Sequence, residues 1–168
     1  MPAAAQTYPT KPIRFIVPFT PGGISDTLVR LVTDPLTRAL GQQVVMDFRP
    51  GAGGRVVLEI AAKSAADGYT IFLGAQGTLA VLPSLYRKLP YDAEKDFAPI
   101  ALLARSSYLL LINPAVPAGN VKELLRLIAS KPGQFSYASV GAGSTGHFAA
   151  EMLKRAAHLD IVHVPYKG

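Results

Sequence analysis

Three glycine-rich loops, each placed directly after an apolar, strand-like run, constrain the fold of this chain more than any other feature. The loops lie at residues 18–23, 49–54 and 141–146, and each leads into a stretch with apolar residues at helical spacing. A strand–loop–helix unit that recurs in this way is typical of α/β folds with a mostly parallel sheet. In such a sheet the loops gather at the carboxyl edge, where open α/β folds bind ligands.

The hydrophobic pattern predicts the elements between these loops. The run IRFIV predicts a buried strand at Ile13–Val17, and the next helix is expected over Ile24–Leu40, ended by Gly41. Further strands are predicted at residues 44–46, 69–73, 100–103, 108–112, 135–138 and 161–164. Further helices are predicted at residues 56–64, 121–130 and 148–157. The polar, irregular stretch 89–96 is the predicted boundary between two parts of the chain.

Composition excludes several classes of protein. Apolar residues make up 49% of the chain and charged residues 17%, which excludes intrinsic disorder. The chain has no cysteine, so disulfides, thiolate metal sites and cysteine nucleophiles are excluded, and its 3 histidines lack the spacing of metal ligands. No apolar run approaches the roughly 18 residues of a membrane-spanning helix. The net charge of +6 favours anions, but the basic residues are scattered, so nucleic acid is not an expected partner.

The glycine loops predict an anion site at the start of the helices. The first turn of a helix presents unpaired N–H groups and a partial positive charge, and glycine lets the backbone approach a ligand closely. Converging loops of this kind can hold a carboxylate or a phosphate without lysine or arginine. The alternative is that the glycines only make tight turns between strands and helices.

Three side chains near the loops also have two interpretations each. Asp26 either complements the dipole of the first helix or holds loop amides near the ligand. Arg49 is either a carboxylate partner or a solvated loop residue. His147 is either a polar residue at the start of a helix or a ligand contact.

The third loop also allows an enzyme hypothesis. Residues 141–146 match the dinucleotide fingerprint G-x-G-x-x-G. This fingerprint also requires an acidic residue about 20 residues further on, and the only candidate is Asp160, which precedes the next strand. A phosphate-binding P-loop is excluded because His147 stands where lysine is required. A hydrolase with Ser144 as nucleophile lacks an aspartate and a histidine in the required order. A nucleotide-dependent α/β enzyme that uses the 141–146 loop is therefore kept as an alternative.

Seven short segments, in this order along the chain, resemble the motifs of one family. They are VPFTPGGISD at residues 17–26, RPGAGG at 49–54, DGYT at 67–70, PSLY at 83–86, DFAPI at 96–100, SVGAGSTGH at 139–147 and VPYKG at 164–168. Together they are similar to the substrate-binding proteins of tripartite tricarboxylate transporters, the Bug family. The likeness extends from Tyr8 over nearly all the remaining chain.

The resemblance implies a type II periplasmic-binding-protein-like α/β fold with two lobes that each contain a parallel-rich sheet. On that basis lobe 1 is expected over residues 7–102 and lobe 2 over residues 103–168. Family chains are about twice this long, so the chain resembles an N-terminal portion with lobe 2 incomplete. An incomplete lobe leaves apolar faces uncovered and is expected to self-associate. A nonfunctional truncated fragment is the second alternative.

The function that the resemblance implies is capture of a small carboxylate outside the cytoplasm, namely a dicarboxylate, a tricarboxylate or an amino acid. Periplasmic proteins of this kind pass the ligand to membrane permease subunits or to a sensor, without catalytic residues, metal or cofactor. The run Ala3-Ala4-Ala5 is either the small-residue end of a removed signal peptide or part of a plain disordered terminus. Carried over motif by motif, the ligand-binding residues are expected to be Phe19, Gly22, Gly23, Asp26, Ala75 and Gln76 in lobe 1 and Ser139, Ser144, Thr145 and His147 in lobe 2.

Three positions depart from the family pattern. Phe48 stands where the family usually has asparagine, and Leu79 replaces a frequent histidine. Arg55 begins the stretch after the second loop, where a glycine is frequent within three residues. These departures bear on the class of carboxylate rather than on the resemblance to the family.

Overall fold

The computed structural model describes residues 8–166. The predicted remnant of a signal peptide at residues 3–5 and the last two residues of the VPYKG motif lie outside this range. The strands are β1 (Ile13–Val17), β2 (Val44–Phe48), β3 (Thr70–Phe72), β4 (Ser136–Ser139) and β5 (Val162–Pro165). The helices are α1 (Ile24–Leu40), α2 (Arg55–Ala62), α3 (Leu82–Leu85), α4 (Val121–Ala129) and α5 (Thr145–Ala156). No helix in this described part of the chain is long and apolar enough to cross a membrane.

β1 is the central strand of a three-stranded, fully parallel sheet with the order β2-β1-β3. Phe15, at its middle, lies opposite Met46 of β2 and Ile71 of β3. Because successive side chains of a strand point to opposite faces, Phe15 packs toward α1 while the fully buried Ile16 points toward the side of α2. Cover on both faces explains why this strand is apolar at every position except Arg14, which pairs with Asp47 of β2. The core between the sheet and α1 contains the buried residues Ile13, Phe15, Val17, Val29 and Val44.

The helix α1 begins and ends where the hydrophobic spacing predicts, at Ile24–Leu40. Its apolar stripe, which includes the buried Val29, packs on the first sheet. Gly41 ends the helix in a left-handed conformation with φ of 65°, and its amide donates a hydrogen bond to the Thr37 carbonyl at 3.0 Å. This tight end returns the chain to the sheet within a few residues, so that β2 pairs parallel to β1.

β4 and β5 form a second, two-stranded parallel sheet, in which Tyr137 lies opposite His163. Tyr137, Ser139 and His163 share the half-buried face that α5 covers, whereas their neighbours along the strands are exposed. The sheet has its own core, which contains the buried residues Leu124, Ile128, Leu159 and Ile161. The parallel sheets and covering helices confirm the α/β architecture, and the lobe boundary between residues 102 and 103 stays a prediction.

The strands predicted at residues 100–103 and 108–112 are wrong. Residues 97–113 contain no helix or strand, and after the half-buried Phe97 their apolar side chains face solvent, with Ile100 81% and Leu111 84% exposed. Within residues 8–166, no backbone hydrogen bond joins this segment to a strand. An isolated strand is not stable without hydrogen-bonded neighbours, so a β-type composition is not sufficient to form one.

The hydrophobic pattern also predicts no element at residues 77–85, where the chain is helical. A π-helical turn at Gly77–Val81 runs directly into α3, and the buried Val81 and Leu82 anchor this segment. The segment is too short to show a full helical period, and Pro83 within it reads as a breaker. The segment is important for the site because it begins in the turn after β3, beside the glycine loops.

We expect Ile16→Ala to lower the free energy of unfolding by about 2–5 kcal/mol, because it leaves a cavity within the first sheet. Ile100→Ala removes the same atoms from a side chain that is 81% exposed. This control should change the free energy of unfolding by no more than about 0.5 kcal/mol. Urea denaturation followed by far-UV circular dichroism measures both variants, and equal losses would contradict the burial of β1.

Candidate functional site

Asp26, in the first turn of α1, holds the first glycine loop in place. The residue is only 7% exposed. Its Oδ2 accepts a hydrogen bond from the Gly22 amide at 2.8 Å, and its Oδ1 accepts one from Arg30 Nε at 2.6 Å. The hydrogen bond from Gly22, together with the Arg30 guanidinium, holds the pKa of Asp26 below its usual value. The carboxylate therefore organises the loop from behind, and both of its oxygens are occupied by the chain itself.

The first loop is open toward solvent. Gly22 has a φ of 88°, and nothing lies within 4 Å of the position that a Cβ would take there. Gly23 is the N-cap of α1 and makes no side-chain hydrogen bond to the helix, and a Cβ on it would meet only the Thr20 carbonyl oxygen at 3.8 Å. Phe19 flanks these glycines and is half-buried. An uncapped helix start behind an open loop presents N–H groups and the positive end of the helix dipole to solvent.

The predicted residues at the start of α5 are engaged within the protein. Ser144 is buried and caps the helix, with its Oγ accepting a hydrogen bond from the His147 amide at 3.3 Å. Thr145 Oγ1 accepts one from the Gly77 amide at 3.1 Å, and His147 Nδ1 accepts one from the Gly143 amide at 3.2 Å. These side chains shape the third loop and join it to the turn after β3.

Ser139 closes the same loop from the end of β4. Its Oγ accepts a hydrogen bond from the Gly141 amide at 3.1 Å and lies 2.7 Å from His163 Nε2. Ser139 therefore connects the third loop to a histidine on the neighbouring strand.

Ala75 and Gln76 lie in the turn that follows β3. The Ala75 amide donates to Thr78 Oγ1 at 3.3 Å, and this hydroxyl donates to the Ala75 carbonyl at 2.8 Å. The reciprocal pair closes the turn and places Gly77 against the start of α5. The side chain of Gln76 is exposed.

The backbones of these loops meet at glycine positions. At Gly53, which has a φ of 63°, an added Cβ would lie 2.5 Å from the Ala142 carbonyl oxygen. At Gly77 it would lie 2.8 Å from the Thr145 amide nitrogen. Side chains do not tolerate such distances to a backbone, so only glycine fits here. These two glycines serve contact between loops, which is a reason distinct from ligand approach and from turn formation.

The structure thus brings residues 51–54, 75–78 and 139–147 into direct contact. The first loop adjoins them, because a Cβ on Gly54 would meet Pro18 at 3.3 Å and Thr78 at 2.6 Å. Within residues 8–166, no hydrogen bond joins Gly22, Gly23 or Asp26 to the third loop. Of the ten predicted site residues, four therefore lie on the first loop and the start of α1, two in the turn after β3, and four at the end of β4, on the third loop and at the start of α5.

Arg49 is paired within the chain. Its Nε donates to Asp47 Oδ1 at 2.8 Å, and Arg14 Nε donates to Asp47 Oδ2 at 2.8 Å. Burial alone would raise the pKa of Asp47, but the two guanidiniums hold it below its usual value. Arg49 thus has a carboxylate partner in Asp47 and does not require one from a ligand.

The third loop is not shaped as a pyrophosphate cradle. Two amides that a phosphate would use, at Gly141 and Gly143, donate to Ser139 and His147 instead. The described residues also contain no group of three or more histidine, aspartate or glutamate side chains placed to hold a metal. These contacts argue against the nucleotide-dependent alternative.

Comparison with known proteins identifies the family. A family model described as the tripartite tricarboxylate transporter family receptor matches residues 28–168. The chain belongs to this family. This receptor chain is 39% identical over 166 residues to a UPF0065 protein of Bordetella pertussis, and 37% identical over 168 residues to the protein BugT of the same organism. The alignments cover 99% of this chain but only 51% and 52% of those proteins, so the receptor chain spans about half the length of the curated relatives it matches.

Solved structures share the fold of this receptor chain. The R. palustris protein Rpa4515, solved with adipate, has a TM-score of 0.89 and 37% identity, over 96% of this chain and 54% of that one. MatC from Rhodopseudomonas palustris with bound malate has a TM-score of 0.84 and 31% identity, over 96% of this chain and 55% of that one. The periplasmic binding protein BugD has a TM-score of 0.81 and 30% identity, over 96% and 54%. These similarities confirm the periplasmic-binding-protein-like α/β fold and a family of receptors rather than enzymes.

Sequence reasoning did not find the residues that assemble the junction. Gly77 connects two loops, but its partner Thr145 lies 68 residues away along the chain, and spacing does not reveal such contacts. His163, behind Ser139, has one sequence signal, which is its alternation with the valines of β5. That alternation places it on the face of the strand opposite to Val162 and Val164.

We expect Gly53→Ala to destabilise this receptor chain more than Gly22→Ala. Both substitutions place a side chain at positive φ, which costs about 1–2 kcal/mol in each case. Only at Gly53 does the new Cβ also meet the Ala142 carbonyl oxygen, and this overpacking should add about 1–3 kcal/mol to the loss. Urea denaturation of the two variants gives the difference directly, and equal losses would show that the loops do not pack as described.

The pH dependence of stability tests the role of Asp26. Its folded-state pKa lies below the unfolded value near 3.8, so the carboxylate stabilises the fold above that pH and loses this contribution as the pH falls through the folded-state pKa. Asp26→Asn should therefore lower Tm at neutral pH, and its deficit against the parent chain should shrink toward about pH 3. Asp34→Asn makes the same change on an exposed position of α1 and should leave Tm nearly unchanged. A deficit that is constant across this pH range would mean that the charge of Asp26 is not responsible.

Proposed function

We propose that this chain forms the ligand-gripping part of a periplasmic receptor for a short aliphatic dicarboxylate. The observation that carries the proposal is the first loop, where open glycines stand before the uncapped start of α1. Asp26 holds this loop from behind, so the loop is shaped before a ligand arrives. Relatives of this fold were solved with adipate and with malate, which are both dicarboxylates.

The electrostatics of the first loop suit a carboxylate. Backbone N–H groups at a helix start donate charge-assisted hydrogen bonds to an anion, and the helix dipole adds about 0.3–1 kcal/mol. The negative charge of Asp26 is balanced by Arg30 rather than directed at the ligand. The net charge of +6 also raises the concentration of anions near the protein.

The remaining candidate residues complete the proposal. Residues of the first loop and of the turn after β3 line one side of the ligand, and the third loop faces it from the second lobe. The first group comprises Phe19, Gly22, Gly23, Asp26, Ala75 and Gln76, and the second comprises Ser139, Ser144, Thr145 and His147. A ligand with a carboxylate at each end can engage both groups, and a monocarboxylate cannot. In this proposal the lobes extend over residues 7–102 and 103–168, and the ligand passes from them to membrane permease subunits.

Isothermal titration calorimetry with adipate and malate tests the proposal. Both acids should give heat of binding, whereas adipamide, which has the same skeleton without charge, should give none. Citrate and glutamate, titrated in parallel, separate the dicarboxylate class from tricarboxylates and amino acids. Absence of heat with every carboxylate, in a chain whose circular dichroism shows it to be folded, would contradict the proposal.

Gly23→Ala is the matching variant. The fold has room for the added methyl group, because its nearest contact is the Thr20 carbonyl oxygen at 3.8 Å, and in this proposal the methyl crowds a ligand at the α1 amides. We expect a small loss of stability, because glycine is favoured over alanine at an N-cap, and adipate affinity weaker by about tenfold or more. Gly119→Ala makes the same change before α4, away from the loops, and should leave affinity unchanged. Equal affinities in the two variants would place the ligand elsewhere.

A further inference from the structure

Three aromatic rings pack against one another on the face of the second sheet that α5 covers. The centroid of the His163 ring lies 4.9 Å from that of Tyr137 and 4.2 Å from that of His147, and the Tyr137 and His147 centroids are 6.4 Å apart. The Tyr137 hydroxyl donates to Glu151 Oε1 at 2.6 Å, and the same oxygen accepts from Lys154 Nζ at 3.0 Å. An ion pair on α5 therefore fixes the Tyr137 side of this ring cluster.

The two histidines of this ring cluster contact the third glycine loop. His163 Nε2 lies 2.7 Å from Ser139 Oγ, and that hydroxyl accepts the Gly141 amide at 3.1 Å. His147 Nδ1 accepts the Gly143 amide at 3.2 Å. The Gly143 amide is thus held directly by the His147 imidazole, and the Gly141 amide is held by Ser139, which contacts the His163 imidazole.

The hydrogen-bond inventory assigns the protons. A hydroxyl donates one hydrogen bond and accepts two, and Ser139 Oγ donates to the Gly141 carbonyl at 3.2 Å while accepting the Gly141 amide. In this arrangement His163 donates from Nε2. His147 carries no proton on Nδ1, because that atom accepts from Gly143.

The charged and titratable groups that face His163 agree with this assignment. They are His147, Glu151 and Lys154 of α5 and Tyr137 of β4. Burial, and then the neighbouring His147, lowers the pKa of His163 from its usual value of 6.5, which keeps the ring neutral at neutral pH. Glu151 acts in the opposite direction but is engaged by Tyr137 and Lys154.

We infer that His163 is a positioning residue for the ligand loop, which orients Ser139 by a hydrogen bond and supports His147 by ring contact without touching the ligand itself. Residues 141–143 then keep the one conformation in which α5 starts beside the first lobe. The consequence for affinity rests on the proposed carboxylate-binding function, whereas the effect on the loop does not.

Amide hydrogen exchange measured by NMR tests the effect on the loop. His163→Phe keeps an aromatic ring in the cluster but removes the hydrogen bond to Ser139. The Gly141 amide should then exchange about tenfold faster or more, while the exchange rate of the Ile16 amide in β1 stays unchanged. Ser139→Ala should have the same effect, and His163→Phe should add little to it in the double variant. His163→Gln, whose amide can donate to Ser139, should restore part of the protection. His158→Asn is the control, because His158 is exposed and has a φ of 50° that asparagine tolerates.

The outcomes separate this inference from the proposed function. Unchanged Gly141 exchange in His163→Phe would overturn the inference, whatever the ligand does. If the parent chain binds adipate, affinity should fall about tenfold in His163→Phe and less in His163→Gln. If the parent chain binds no carboxylate, the proposed function fails while the exchange data still decide the role of His163. Where His163→Phe does not fold, Ser139→Ala examines the same hydrogen bond from its other end.

The pKa of His163 is a further measurement, and a purely structural role of this residue in loop packing would not change it. The pKa of His163, followed by NMR of its ring, should rise toward its usual value in His147→Phe, because a proton taken up by His147 as the pH falls opposes protonation of the neighbouring His163. No change would mean that the two histidines are not coupled, and the support of His147 by His163 would be overturned.

Discussion

The contact between the backbones of separate loops is the interaction on which the rest of this structure depends. Each sheet has its own hydrophobic core, so burial alone builds two independent units. Their relation is set where Gly53 meets Ala142 and where Gly77 meets Thr145, at distances that no side chain would permit. The hydrogen bond from the Gly77 amide to Thr145 Oγ1 fixes the register of that contact. The first loop is positioned against the same junction through Pro18 and Gly54.

Elements whose partners lie close in sequence could be predicted from periodicity. β1 and α1 agree with their predicted bounds, because a mostly apolar run, an amphipathic stripe and a terminating Gly41 are all local signals. The segment 97–113 has an equally strong apolar composition but no strand, since pairing depends on a neighbouring backbone that composition does not specify. The helix at residues 77–85 was not predicted for the opposite reason. It is stabilised by burial of Val81 and Leu82 against the rest of the fold and has no repeating apolar pattern.

The candidate site was predictable as a set of loops but not as a set of contacts. The position of Asp26 in the first turn of α1 allowed two roles, and the hydrogen bond from Gly22 shows that it holds a loop amide. Arg49 allowed two roles as well, and the ion pair with Asp47 provides its partner. The glycines were expected to serve a ligand or a turn, whereas Gly53 and Gly77 serve another loop. That the ten predicted residues bind a ligand stays a prediction. His163 lies behind the loop, and its ring contacts with Tyr137 and His147 join residues that no local sequence pattern connects.

The long sequence separation of the junction has a kinetic consequence. Gly77 and Thr145 are 68 residues apart, so their contact closes a large loop whose entropy must be lost before the contact contributes anything. The pairing of β1 with β2 joins residues only 31 apart, such as Ile13 and Val44, and can form earlier during synthesis. The glycine junction is therefore among the last parts of the molecule to form. By the same balance it is among the first to open in the native ensemble, so the ligand loops belong to the least cooperative region of the chain.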